Sequence, residues 1–240
     1  MKRMAIFYII ACIAITPAVF AQSWQPAGDQ WIEKWWGLDL ILNTGDFNVT
    51  ASIDYLSQGT DDVISDASVS TRHGAGLTGR LSVNLPDNGG VLGWGIVDID
   101  TNDGNNMSSS HGFPSERNNV TWQGIILIQS PDNRRTKMHP AHDDYAQIWI
   151  NGDKVYDNSA WTGGVRAVTQ PTEVDLIKGE NFLHFRCGEG GGSDYINLRF
   201  EEADDDLRIA PTLDNKFLDI LTPVEPRNKI ATTWADIKRK

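Results

Sequence analysis

The run Asp98-Ile99-Asp100-Thr101-Asn102-Asp103-Gly104 sets acidic and amide side chains at alternating positions ahead of a glycine. Such alternation can turn oxygens inward around a calcium ion, which takes roughly six to eight hard oxygen ligands, while glycine permits the sharp bend. Two departures weaken the match. The glycine comes one residue late, and Ser109 stands at the twelfth position, where a bidentate glutamate is needed. The segment is therefore read first as a solvated acidic turn, with Asp98, Asp100, Asn102 and Asp103 as a weak calcium site in second place. His139-Pro140-Ala141-His142-Asp143 carries zinc-type ligands. Pro140, however, prevents a helical turn from aligning the two imidazoles, and no third ligand follows at a recognisable distance, so a structured loop is expected. Taken alone, Asp143-Asp144 reads as an Asx-type turn into a strand.

Nine tryptophans are present, and indole faces are suited to stacking on the C–H faces of sugars. Trp36, Trp94 and Trp122 lie in or beside apolar strands, and Trp149 alternates out of phase with Ile148 and Ile150, so these are expected to pack against the sheets. Trp161 sits instead in the polar loop Asp157–Gly164 and is a candidate ligand contact, with a loop anchor as the alternative. No Gly-x-Ser-x-Gly or His-Glu-x-x-His occurs. The glycine-rich Gly188–Ser193 joins two strands and lacks the helix N-terminus that grips phosphate. The chain is expected not to be an enzyme.

The elements that would position these residues are strands. Phe47, Val49, Ala51, Ile53 and Tyr55 alternate with polar residues, as do Leu81, Val83 and Leu85, and both runs are expected to be strands with one wet face. Gly124–Ile128 is apolar throughout and should be covered on both faces. Tyr145–Ile150, the turn dipeptide Asn151-Gly152 and Lys154-Val155-Tyr156 predict a hairpin. Asn181–Cys187 and Tyr195–Glu201 are further strands, whereas 56–79 and 101–119 are long loops. The fold class is all-β, an antiparallel β-sandwich of jelly-roll type spanning residues 22–202. The acidic block Glu201–Asp206 should end it. Residues 203–240 then form a tail, kept largely extended over 207–230 by Pro211, Pro223 and Pro226, with a short helix opened by Thr233-Trp234-Ala235-Asp236 and closed by Lys238-Arg239-Lys240.

The order of these features resembles a known family. His142-Asp143-Asp144, an alternating strand, the Asn151-Gly152 turn and a return strand ending in Asp157-Asn158 resemble the core of the protective-antigen-type (flocculin-like) carbohydrate-binding domain. Leu176-Ile177-Lys178-Gly179-Glu180-Asn181-Phe182-Leu183 resembles the strand opening of that family, and looser similarity to secreted modules of environmental bacteria extends over about residues 24–202. In sugar-binding members the Asp-Asp pair bears a strained peptide bond and holds calcium, which grips vicinal sugar hydroxyls. The resemblance thus implies Asp143 and Asp144 as calcium ligands; the Asn158–Gly164 loop is expected on the same rim, with Asn158 and Trp161 as contacts for a glycan. Tyr145 departs from the family, which usually has glycine after the acid pair.

At the N-terminus Lys2 and Arg3 precede an apolar run from Met4 to Ile15, too short to span a bilayer, and Val19 and Ala21 suit signal peptidase. Residues 1–21 are expected to be a signal peptide. The protein would then be secreted, periplasmic or on the cell surface, with no transmembrane segment in the mature chain. A formal charge of −11 repels phosphate backbones and anionic membranes, so nucleic acid is not an expected partner. Of two cysteines, Cys12 falls in the signal and Cys187 should be a small buried hydrophobe. The functional expectation is a secreted, non-catalytic carbohydrate-binding module that takes a glycan, with calcium as its ion. The alternatives are a structural or adhesive surface component whose C-terminal tail docks on a protein partner and, last, a carbohydrate-active hydrolase.

Overall fold

The computed structural model describes residues 22–221; the expected signal peptide and the C-terminal helix lie outside them. The described chain runs β1 (Lys34–Leu38), α1 (Phe47–Thr50), α2 (Tyr55–Gly59), α3 (Arg72–Thr78), β2 (Val83–Leu85), β3 (Gly90–Leu92), β4 (Trp94–Asp98) and α4 (Asn106–Ser109). It continues through β5 (Val120–Ser130), β6 (Arg134–His142), β7 (Tyr145–Ile150), β8 (Asp153–Asn158), β9 (Thr172–Leu176), β10 (Gly179–Glu189), β11 (Ile196–Arg199), β12 (Arg208–Ala210) and α5 (Leu218–Leu221).

The fold is mostly β, with antiparallel pairing throughout. A seven-stranded sheet has the order β4-β1-β5-β10-β7-β8, with β12 also on β5, and a three-stranded sheet has the order β11-β6-β9. As its unbroken apolar run requires, β5 is central: it pairs with β10 from Val120↔Glu189 to Ser130↔Gly179. Its other edge is shared end to end by β1, at Ile125 and Gly124, and β12, at Leu127 to Gln129. Trp35, Trp122, Ile126, Ile148, Phe185, Cys187, Met138, Val174 and Leu198 fill the space between the two sheets. Burying each such side chain contributes about 1.5–3 kcal/mol against conformational entropy. The predicted hairpin forms as expected, with Asn151 and Gly152 at φ 53° and 96°, and Cys187 is buried and in no disulfide among the described residues.

Two expectations are corrected. Phe47–Tyr55 is not a strand: α1 and α2 occupy it, because Asp46 and Asp54 accept N–H bonds from Asn48 and Ser57 at 2.8 and 2.9 Å and start helical turns. Val49, read as inward-facing, is 60 % exposed. With α3 and the β2–β3 pair, this insertion covers the second face of the large sheet, where Leu56, Ile64, Val69 and Ala75 pack on Ile125, Leu127 and Phe182. It makes a third layer that the fold class did not include. The second correction concerns the C-terminal boundary. The acidic block does not end the folded body, since Asp204 is buried against Arg134 and Thr136 and β12 buries Ile209 and Ala210. Leu207 and Phe217 are likewise core residues. Charge repulsion within the block is offset by Arg134, which also binds Asp206 at 2.6 and 2.8 Å.

A candidate cation site at the sheet end

Strand alternation places Phe185, Cys187 and Glu189 on one face of β10. The first two belong to the sandwich core. Glu189 continues their row to the strand end with 0 % exposure, yet among the described residues neither carboxylate oxygen meets a donor in full hydrogen-bond geometry. An unpaired carboxylate in such surroundings is costly unless it is protonated or bound to a cation. Register then decides its neighbours. Gly188 pairs with Tyr145, so the residues before β7 arrive beside the end of β10. Glycine is needed at 188 because the Tyr145 ring lies over it; an added Cβ would meet Tyr145 Cε1 at 2.0 Å.

The result is a cluster of Asp143, Asp144 and Glu189, with one oxygen of each within 4.8 Å of the others. Asp143 and Glu189 are buried and Asp144 is half-buried. Backbone bonds hold the pair in place, from Asp143 N–H to Tyr195 O at 3.1 Å and from Asp144 N–H to Gly188 O at 3.0 Å. The peptide bond between the two acids is cis. Gly190 N–H donates to Asp144 Oδ2 at 3.0 Å. Burial first, then Asp144, Asp143 and Asp194, pushes the Glu189 carboxyl up to about 9, against a weaker downward pull from the backbone N–H of Gly191. Burial, then Asp144 and Asp194, raises Asp143 to about 7. Three hard carboxylates with unspent acceptor capacity can hold a metal ion, and they suit an oxygen-seeking divalent cation.

Behind the pair runs a hydrogen-bond chain whose direction is fixed. The Asp144 carbonyl can only accept, so the His142 Nδ1–H, 3.1 Å away, donates. Burial lowers His142 to about 4, so the ring is neutral and its Nε2 accepts from the Tyr156 hydroxyl at 2.8 Å. The Tyr156 oxygen accepts in turn from Asn158 Nδ2 at 3.0 Å, and Asn158 Oδ1 takes the Ala160 N–H at 3.0 Å. Asn158 thus reaches the acid pair through two side chains, with both halves of its amide engaged. Trp161 is 57 % exposed, and its neighbour Thr162 bonds both the N–H and the carbonyl of His142, which ties the tryptophan loop to the same rim.

Asp98, Asp100, Asn102 and Asp103 are not brought together. Asp98 pairs with Lys34, Asp100 accepts from its own turn at Asn102, and Asp103 accepts from Asn105 N–H and the Ser109 hydroxyl. Sequence reading missed Glu189, seen only as part of a glycine-rich connection. It also missed Asp194, whose oxygens accept from Ser108 and from Arg117 N–H, fastening the 101–119 loop beside the site. A groove of about 600 Å³ lined by Arg72, His73, Arg80, Leu218 and Leu221 contains none of the three acids.

No protein-family model matches this chain, and no curated protein matches it. Solved structures do. A PA14 sugar-binding domain from an RTX adhesin is 12 % identical, with 75 % of this chain and 95 % of that chain covered and a TM-score of 0.39. The PA14 domain of the antifreeze protein MpAFP is 10 % identical over 78 % of this chain and 95 % of its own, also at a TM-score of 0.39. The Epithelial Adhesin 9 A domain from Candida glabrata, solved with Galβ1-4GlcNAc, is 12 % identical over 81 % and 91 %, at 0.33. Over most of its length, the chain matches PA14 domains in structure, the type that its residues 142–158 resemble.

Proposed function

We propose that this chain is the glycan-binding part of an exported protein and that it grips its ligand through a calcium ion held by Asp143, Asp144 and Glu189. One observation carries the reading: a fully buried carboxylate, Glu189, has both oxygens without a hydrogen-bond partner among the described residues and stands beside two further acids. Calcium fits this donor set because carboxylates supply charge and hard oxygen, and further oxygens from carbonyls and ligand hydroxyls can complete roughly six to eight positions. When bound, the ion supplies a Lewis-acidic point that vicinal sugar hydroxyls can chelate.

The protein's own part is orientation. The His142–Tyr156–Asn158 chain fixes the carbonyl of Asp144, and Gly190 N–H fixes one of its carboxylate oxygens. A cation held there would take the place of the proton that burial favours on Glu189 near neutral pH, and would favour the charged form of Asp143. Trp161 offers an exposed indole on the rim for a sugar C–H face.

A glycan array probed with and without chelator tests this. Binding should appear with calcium and vanish with chelator or in Asp144→Ala, while the circular dichroism spectrum of the variant stays native. Glycan binding that survives chelation would remove the ion from the reading, and no binding to any glycan would remove the function.

A further inference from the structure

We infer that Phe47, delivered by the insertion on the far face of the large sheet, is a specificity-determining wall of the cation site; this rests on the reading above. Phe47 is half-buried and belongs to neither apolar core. Its packing is spent elsewhere. The ring stacks on Tyr145, the residue after the acid pair, with centroids 6.2 Å apart and planes at 27°. An added Cβ on Gly190 would lie 3.4 Å from Phe47 Cδ1 and 3.4 Å from Asp144 Oδ2, so ring and carboxylate flank the same glycine. Both lie at ordinary van der Waals distance from that point, so the aromatic edge and the acid face the same small space beside the loop.

The position of Phe47 is bolted from beneath. Arg186 lies 5.7 Å from the Tyr145 ring centroid, donates to the carbonyl of Thr50 at the end of α1 and pairs with Asp66 at 2.6 Å. Arg186 stands three residues before Glu189 on β10, so one strand holds both the acid of the site and the anchor of the helix carrying Phe47. The ligand class follows from this juxtaposition. A saccharide presents vicinal hydroxyls on one side and a C–H face on another, and an aromatic beside the chelating point selects those whose apolar face lies next to the diol.

The test uses calcium alone, terbium alone and a glycan array on the full chain. Phe47→Ala should bind calcium within about twofold of the parent by calorimetry and lose about tenfold in glycan affinity, a change worth about 1.4 kcal/mol. Phe47→Trp should raise the sensitised emission of bound terbium severalfold, because the indole would sit beside the ion. Equal glycan affinity in parent and Phe47→Ala would overturn the wall and leave the cation site standing. Unchanged terbium emission in Phe47→Trp would overturn the placement itself. A parent that binds calcium and no glycan overturns the broader reading and this inference together. If Phe47→Ala does not fold, Phe47→Leu keeps apolar packing on Tyr145 and should show the same glycan loss.

Discussion

Two acidic segments, Asp98–Asp103 and Asp143–Asp144 with Glu189, look alike in composition and differ in what their oxygens do. In the first, Lys34, the Asn102 and Asn105 amides and the Ser109 hydroxyl take up the carboxylates, on an exposed turn where water serves the remainder. In the second, burial removes the water and the described residues leave Glu189 without a hydrogen-bond partner. A candidate binding site is marked by acceptor capacity left over under burial, which counting acids along the chain does not measure.

The sharpest way to break the comparison is Glu189→Gln, which keeps shape and removes charge. Calcium affinity measured by calorimetry should fall on the order of 100-fold, and without calcium the variant should melt no lower than the parent, since an uncompensated acid has gone. A parent-like calcium affinity would put the ion elsewhere.

Next in size is the pH response of the metal-free protein. Glu189 is raised to about 9 in the folded state, so between the ordinary carboxylate range and that value the folded protein holds a proton that the unfolded chain releases. Below about pH 6.5 the buried neutral His142 and His184 oppose this trend, so the fall should be read from there upward: stability drops as pH rises toward 9, by up to about 1.4 kcal/mol per pH unit for Glu189. Saturating calcium, at about 100 times its Kd, should restore about 2.7 kcal/mol and flatten the slope. Chemical denaturation from pH 5 to 9 reads both, and a flat metal-free profile would contradict the burial argument.

The smallest effect should be in the other segment. Asp98→Asn breaks an ion pair whose carboxylate is 70 % exposed, at a cost of about 1 kcal/mol or less, and should leave calcium affinity unchanged. A loss of calcium affinity there would erase the distinction.

How much of this was legible in the chain depends on the range of the forces involved. The Asn151-Gly152 hairpin and the buried β5 are local signals, one set by backbone φ and the other by an unbroken apolar run, and both appear as read. Asp143 and Asp144 read alone as a turn and become candidate ligands only through the family resemblance of residues 142–158. Glu189 was missed, because only the pairing of β10 with β7 brings it beside them, and pairing register is a property of two distant segments. Phe47–Tyr55 misled for a related reason: five residues at alternating spacing satisfy a strand pattern, and the caps Asp46 and Asp54 that start helices are single residues with weak signals. The segment after Asp204 was misjudged because a run of carboxylates says nothing of the arginine waiting for it on β6.

The side-by-side seating of β1 and β12 along one edge of β5 has a consequence for biogenesis. Ile209 lies against Ile128 and also meets Gln25, whose amide reaches the carbonyl of Pro211. A gap in the middle of the large sheet therefore stays open until nearly all of the described chain has been made, and closure must wait for the most distant of its contacts. Until then the nascent polypeptide keeps unsatisfied β5 backbone on offer, an exposure that chaperones or delayed release would have to cover.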